Sequence, residues 1–106
     1  MGVWFIAIPE GAADEFVCCK TCNTPFVNKS NINLDLVVYG KCSDVVNVIH
    51  GPARHTEVFT GEYYISDITC KRCNTEIGWF YEFASSPSQM HKENTFVLVM
   101  SNVNIN

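Results

Sequence analysis

Two cysteine pairs with the same spacing are the residues best suited to chemistry in this chain. Cys19 and Cys22 form one Cys-x-x-Cys pair and Cys70 and Cys73 form the other, with 47 residues between them. Two such pairs present four thiolates from two tight turns, which suits the tetrahedral coordination of zinc. Because the interval exceeds that of a compact zinc finger, we expect the ion to join two hairpins of a sheet protein. The predicted cofactor is therefore one structural Zn²⁺.

Each pair continues in the same way, with Asn23-Thr24 after the first and Asn74-Thr75 after the second. A turn at this place suits a zinc knuckle, because amide N–H groups can bond the sulfurs and Asn tolerates turn conformations. With four thiolates available, the three histidines are not needed as ligands.

Cysteines can also form disulfides or redox pairs. Disulfides suit a secreted chain, but the apolar start has no basic flank and meets Pro9 and Glu10 at once, unlike a signal peptide. A thioredoxin-like redox pair needs a βαβ context, which the pattern does not offer. Cys18 and Cys42 receive no role, because most free cysteines are small buried hydrophobes.

Length and charge limit the classes of protein and partner. A chain of 106 residues predicts a single domain over 1–106, with Ser101–Asn106 as a frayed tail. The seven Lys and Arg residues form no basic run and the net charge is −4, so no nucleic acid partner is expected. No apolar stretch approaches the length needed to span a membrane.

Short β-rich runs separated by polar or Gly/Pro breaks predict a mainly β fold, an antiparallel sandwich or half-barrel. No stretch sustains helical periodicity, and Ser88–Glu93 is the one short helix or turn expected. The predicted strands are Val3–Ile8, Leu34–Tyr39, Val45–His50, Glu62–Thr69, Gly78–Phe83 and Thr95–Met100.

Strand alternation sorts the aromatic residues of the run 78–83 into two faces. Trp79, Tyr81 and Phe83 lie on one face, and Phe80 and Glu82 lie on the other. Two interpretations of the Trp79 face stay open: it is ordinary core, or it lines a pocket with Phe59 and Tyr63.

The second half of the chain resembles the Yippee-like proteins. The similarity runs from Thr60-Gly61 through Asp67-Ile68-Thr69-Cys70 and Cys73 to Gly78-Trp79 and Tyr81-Glu82, and it continues at Ala84, Ser88-Gln89 and Lys92-Glu93. The first half agrees more weakly. Departures mark a divergent member: Tyr63 replaces a family His, Phe80 replaces a family Lys, and Asn94 replaces a family Gly.

The resemblance implies a β-tent, in which one zinc ion pins two antiparallel sheets. This fold is shared with Mis18, the thalidomide-binding domain of cereblon and methionine sulfoxide reductase B. The Trp of the cereblon aromatic cage matches Trp79, and Phe59, Tyr63 and Ile65 are the nearest candidates for the rest of a cage.

Three functions follow as expectations. The preferred one is a non-enzymatic zinc-binding adaptor for a protein or peptide partner, in a ubiquitin-ligase or nuclear or cell-division assembly, with a nuclear or cytoplasmic location. The alternative is a small-ligand or degron-binding module that uses the Trp79 cage. An enzyme like methionine sulfoxide reductase is poorly supported, because no cysteine follows Cys73 to act as nucleophile.

Phe80 is the last residue with a predicted role. Alternation places it opposite Trp79, on the face where related sequences carry a Lys. An exposed aromatic there predicts a partner or self-association surface. The equal alternative is that a segment of the chain itself, such as Ser88–Lys92, covers the ring.

Overall fold

The computed structural model describes residues 6–34, 39–58, 61–84 and 94–106. Eight β-strands lie within these ranges, and their helical turns are short 3₁₀ turns. In chain order the strands are β1 (Phe16–Cys19), β2 (Pro25–Asn28), β3 (Tyr39–Cys42), β4 (Val48–Val58), β5 (Gly61–Cys70), β6 (Glu76–Ala84), β7 (Phe96–Val99) and β8 (Val103–Ile105). The predicted mainly β fold is thereby confirmed. No helix of the described part is long and apolar enough to cross a membrane.

The strands form two antiparallel sheets. The smaller sheet has the order β2-β1-β8, and the larger has the order β3-β7-β6-β5-β4. Buried apolar residues from both sheets form one cluster: Val17, Cys19, Phe26, Val27, Cys42, Val45, Ile68, Cys70, Ile77, Phe96, Leu98 and Val103. Both sheets therefore share one core, in agreement with a layered β domain.

Three predicted runs match observed strands, Val45–His50 overlaps only the first residues of β4 (Val48–Val58), and three of the shortest observed strands were missed. The runs Glu62–Thr69, Gly78–Phe83 and Thr95–Met100 fall on β5, β6 and β7. Strands β1, β2 and β8 have three or four residues, too few for alternation to stand out. Ile6–Ile8 is not in a strand, and the rest of the Val3–Ile8 run, most of Leu34–Tyr39 and the Ser88–Glu93 turn fall outside the described residues.

The predicted break at Gly51-Pro52 is a bulge inside one strand. Strand β4 continues through it, and its register with β5 shifts between His50 and Ala53. A bulge removes one residue from the ladder, which suits Pro52 because proline has no N–H to donate.

The tail is paired, which corrects the expectation of fraying. Strand β8 lies antiparallel to β1, with Val103 opposite Cys19 and Ile105 opposite Val17. Val103 is 6% exposed and belongs to the core cluster. The Asn-rich composition suggested a loose end, but two apolar residues spaced for strand alternation dock the segment.

Buried Asn47 connects the segment before β1 to both sheets, and composition gave no hint of this role. Its side-chain amide bonds the backbone of Ala7 through both its oxygen (2.8 Å) and its nitrogen (2.9 Å), and it donates to the Pro25 carbonyl (2.7 Å). The backbone carbonyl of Asn47 accepts a hydrogen bond from the N–H of Lys71, which lies in the turn of the second cysteine pair. The left-handed φ of 63° at this residue is one that Asn tolerates.

The docked tail makes a direct prediction about Val103. Val103→Ala should lower the free energy of unfolding by about 1.5 kcal/mol, because it removes two buried methyl groups. Ile105→Ala, in the same strand but 37% exposed, should cost less than about 0.5 kcal/mol. Urea unfolding measures both, and a Val103 variant as stable as wild type would indicate a frayed tail.

Candidate metal centre

The two cysteine pairs occupy equivalent hairpin turns in different sheets. Cys19 ends β1 and Cys22 lies in the turn to β2, while Cys70 ends β5 and Cys73 lies in the turn to β6. The turns carry the same backbone bonds, each 2.8 Å long: Asn23 to Cys19, Cys19 to Thr24, Asn74 to Cys70 and Cys70 to Thr75. The repeated sequence thus folds into a repeated knuckle, one on each sheet.

Asn occupies the position in each knuckle that requires a left-handed backbone. Asn23 has φ of 63° and Asn74 has φ of 62°. Residues with a Cβ adopt this region at a cost, and Asn is among those that tolerate it best. The turn then brings both cysteines of a pair to one side.

All four sulfurs converge on one point. The four Sγ atoms lie within 4.8 Å of one another, and two contacts between the knuckles are 3.5 Å, Cys19 to Cys73 and Cys22 to Cys70. A tetrahedron with Zn–S bonds of about 2.3 Å has S···S edges of about 3.8 Å. The donor set and its spacing therefore fit a tetrahedral thiolate site. All six cysteines are free thiols, with no disulfide among them.

Burial divides the four cysteines into two kinds. Cys19 and Cys70 are 0% exposed, whereas Cys22 and Cys73 are half-buried. Burial raises the pKa of Cys70 to about 12, against backbone N–H bonds from Cys73 and Arg72 that lower it. The hydroxyl of Thr75 is the main cause that lowers the pKa of Cys73 to about 6. The predicted N–H···S contacts are thus present at the second knuckle.

Three cations lie next to these ligands in the chain: Lys20, Lys71 and Arg72. A divalent ion with four thiolates carries a net charge of about −2. Three positive charges next to the ligands in the chain would lower the net charge of such a site. Lys29 and Arg54 instead form ion pairs with Glu15 and Asp67.

The predicted cage residues meet on the outer face of the larger sheet. Trp79, Tyr63 and Ile65, together with Tyr81, Arg54 and Thr56, line a depression of about 220 Å³. Tyr63 and Ile65 are buried, at 0% and 6% exposure, so Trp79 and Tyr81 provide the accessible aromatic surface. Phe59 lies outside the described residues. A small apolar cluster underlies an open depression on this face, and its use as a binding pocket stays a prediction.

Edge contacts and one ion pair hold the outer face. The Trp79 ring meets Tyr39 edge-on at 5.4 Å, and Tyr63 meets Tyr81 at 5.2 Å. The Arg54 guanidinium donates two bonds to Asp67, at 3.0 and 3.1 Å, which raise the pKa of Arg54 further above its usual range. We name this surface, formed by Tyr39, Trp79, Tyr81, Arg54 and Asp67, the aromatic face.

Phe80 packs inward, which corrects the prediction of an exposed ring. It lies against the core cluster, with its ring 4.5 Å from Phe96 and 5.3 Å from His50. Alternation assigned its face correctly, but that face is the one shared by the two sheets. Phe80 is therefore not part of an exposed aromatic patch.

A Ser–His–Glu chain of hydrogen bonds lies beside Phe80. The Ser66 hydroxyl donates to Glu82 Oε1 at 3.0 Å and lies 3.2 Å from His50 Nδ1. A serine nucleophile needs its own proton accepted by the histidine and must reach substrate. Ser66 is 1% exposed and its hydroxyl donates its hydrogen bond to the carboxylate. These hydrogen bonds therefore orient His50 and do not activate Ser66.

The remaining sequence candidates lie apart from the sulfur cluster. Cys18 and Cys42 are both 5% exposed, and burial raises the pKa of each thiol, that of Cys42 to about 12. Neither joins the cluster of four. His50 and His55 lie on β4, away from the ligands, and His91 is outside the described residues.

Comparisons with known proteins agree with this geometry. The family described as "Yippee zinc-binding/DNA-binding /Mis18, centromere assembly" matches residues 15–106. Yippee-like 3 of Danio rerio is 41% identical over 61 residues, which are 58% of this chain and 51% of that protein. Yippee-like 4 of Rattus norvegicus is also 41% identical over 61 residues, which are 48% of that protein. This alignment thus spans about half the length of the curated relatives it matches.

The fold has a solved counterpart. The crystal structure of the Mis18 "Yippee-like" domain superposes with a TM-score of 0.69, over 87% of this chain and 94% of that one. The sequences are 20% identical there, so this likeness concerns the fold alone. The family match and the relatives confirm the resemblance drawn from the cysteine pairs and the Gly78-Trp79 motif.

Asn74, which has a left-handed backbone conformation in the second knuckle, provides a test of the turn. Asn74→Gly should leave stability unchanged or slightly higher, and Asn74→Val should cost about 1–2 kcal/mol, because a Cβ clashes in this backbone region. Asn104→Val, in the extended strand β8, is the matched control and should be neutral. Equal losses for the two Val variants in urea unfolding would contradict the strained-turn explanation.

Proposed function

This chain belongs to the Yippee/Mis18 family, and from that premise we propose that it is a non-enzymatic, zinc-pinned adaptor domain that binds a protein or peptide partner. The observation that carries the proposal is the convergence of four protein sulfurs from two sheets. Structural zinc sites take all four ligands from the protein, whereas catalytic sites keep a position for water or substrate. A closed set of thiolates therefore favours a structural role for one zinc ion.

Zinc bound by Cys19, Cys22, Cys70 and Cys73 would supply folding energy here. Cysteine thiols must lose their protons to bind the ion, and the burial of Cys70 opposes its ionisation until a cation arrives. Since each sheet contributes one knuckle, metal binding and the packing of the two sheets become one event. The domain is then a rigid base for whatever its surface binds.

The aromatic face is the best-supported partner site. Aromatic residues and Arg are enriched where partners bind, because each combines a large apolar contact with a polar group. The face offers Trp79 and Tyr81 beside the depression, with exposed Tyr39 at its edge and the Arg54–Asp67 pair beside it. A peptide side chain fits a depression of about 220 Å³.

A small-ligand or degron-binding module is the second candidate, and the same depression supports it. Its volume of about 220 Å³ lies below the usual 300–1,000 Å³ of small-molecule pockets. It would hold a compact ring or one side chain rather than a whole drug-sized molecule. This size favours the peptide reading and leaves the cage as its anchor point.

Two further properties belong to the proposal. The net charge of −4, together with the pairing of Lys29 and Arg54 with carboxylates, disfavours phosphate binding, although the family description includes DNA binding. We also propose a nuclear or cytoplasmic location and a role in a ubiquitin-ligase or cell-division assembly. Co-localisation with the captured partner tests both.

Metal analysis tests the zinc site. Wild type should contain about one zinc per chain, and Cys70→Ser should lose both the metal and cooperative unfolding. Cys42→Ala, a buried cysteine outside the cluster, should keep the metal. A metal-free wild-type chain that unfolds cooperatively at neutral pH would end the proposal.

The aromatic face is tested by partner capture. Trp79→Ala should retain zinc and lose the partner that wild type retains in a pull-down with mass spectrometry. Tyr64→Ala changes another exposed aromatic residue of the same sheet outside the aromatic face and should retain that partner. Direct titration of the purified partner should then show at least a tenfold loss for the Trp79 variant, since a central aromatic anchor contributes about 2 kcal/mol or more. Equal binding by both variants would place the interface elsewhere.

A further inference from the structure

In each knuckle a threonine hydroxyl contacts the sulfur of the second cysteine. Cys22 Sγ lies 3.0 Å from Thr24 Oγ1, and Cys73 Sγ lies 3.1 Å from Thr75 Oγ1. The two contacts are equivalent, because each threonine stands two residues after the cysteine it touches. The repeat Cys-Asn-Thr in the sequence is thus a repeat of one sulfur–hydroxyl contact.

The direction of these bonds follows once the cysteines are thiolates. A metal-bound thiolate has no proton and can only accept, so the single hydroxyl proton of Thr24 must point to Cys22 and that of Thr75 to Cys73. The Thr75 hydroxyl is also oriented to donate to Thr21 Oγ1, at 3.1 Å in the other knuckle. Thr21 and Cys73 therefore compete for the single Thr75 proton. An ionised sulfur is the stronger acceptor, because hydrogen bonds to charged groups are roughly twice as strong as neutral ones, so ionisation of Cys73 draws this proton to sulfur.

The two threonine hydroxyls contact the two sulfurs that solvent can reach. Cys19 and Cys70 are 0% exposed and the fold itself shields them, while Cys22 and Cys73 are half-buried. A hydrogen bond withdraws charge from a thiolate and makes it a weaker nucleophile. Protection by hydroxyls is therefore present where protection by burial is incomplete.

We propose that Thr24 and Thr75 are positioning residues that protect the exposed thiolates of the metal site from oxidants and so retain the ion. The inference rests on the proposed zinc site. With hydrogen peroxide as oxidant, a sulfur electron pair attacks one peroxide oxygen, an S–O bond forms, and the O–O bond breaks. Hydroxide leaves, the cysteine becomes a sulfenic acid, and the peroxide is reduced. A sulfenic acid is a poor ligand, so the ion is released.

Zinc release under peroxide tests this directly. Zinc-loaded wild type, Thr24→Val and Thr75→Val are mixed with hydrogen peroxide and a colorimetric zinc indicator. Each Val variant should release zinc about fivefold faster, the kinetic equivalent of about 1 kcal/mol for one hydrogen bond. Thr24→Ser and Thr75→Ser keep the hydroxyl and should release zinc at the wild-type rate. Thr21→Val removes the competing acceptor of the Thr75 proton and should not speed zinc release.

Two readouts separate protection from a purely structural effect. Mass spectrometry should find the first oxidation at Cys22 in the Thr24→Val protein and at Cys73 in the Thr75→Val protein. In cobalt-loaded protein, loss of the threonine hydrogen bond to the sulfur should shift the sulfur-to-metal charge-transfer band to longer wavelength. Val variants that match wild type in rate and spectrum would overturn the inference, and so would Ser variants as labile as Val variants.

Failure of the underlying zinc site is distinguishable from failure of this inference. Wild type without stoichiometric zinc would contradict the proposed function, whereas zinc-loaded variants with unchanged release would contradict only the role of the hydroxyls. Thr24 is 2% exposed, and Val has nearly its shape. If Thr24→Val nevertheless does not bind zinc, half-buried Thr75 carries the test alone.

Discussion

Four sulfur atoms from two hairpins lie within 4.8 Å of one another at the junction of the two sheets. Ionised sulfurs this close repel one another, and protonated ones leave buried polar groups with weak partners. A bound divalent cation would resolve both problems and would at the same time tie β1–β2 to β5–β6. The smaller sheet has only three short strands, so such a tie would replace apolar area that so small a layer cannot bury.

The two faces of the larger sheet have different tasks. Its inner face packs Phe80, Phe96, Ile68 and Leu98 against the other sheet and completes the core. Its outer face keeps a second, smaller cluster around Tyr63 and Ile65, which Trp79 and Tyr81 partly cover. At Gly78 a Cβ would lie 1.9 Å from the Val97 carbonyl oxygen, so only glycine allows β7 to approach β6 next to Trp79. The strand that completes the core thus also sets the position of Trp79.

The family assignment and the geometry constrain function in different ways. Membership follows from residues 15–106, and the solved Mis18 domain shares the fold at 20% identity. Neither observation identifies a partner, because one fold carries many kinds of site. The clustered sulfurs and the accessible rings are properties of this chain itself, and they constrain its function more closely than the fold does.

The sequence alone determined the features that depend on neighbouring residues. Cysteine spacing identified the four clustered sulfurs, the Asn after each pair indicated the turn, and strand alternation separated Trp79 from Phe80. Long strands β5 and β6 were readable because many alternating residues reinforce one pattern. Local patterns also made the tail look loose, because Asn-rich composition hides the two apolar residues that dock it.

The tertiary structure decided everything that depends on residues far apart in the chain. Whether Phe80 is exposed depends on how distant strands assemble, because its ring is covered by Phe96 of β7 and His50 of β4 in the same sheet. The pairing of β8 with β1 and the links made by Asn47 join segments that no local pattern connects. Which sulfurs of each knuckle remain accessible also follows from packing. Burial and long-range hydrogen bonds are properties of the assembled chain, because each needs a partner that the local sequence does not contain.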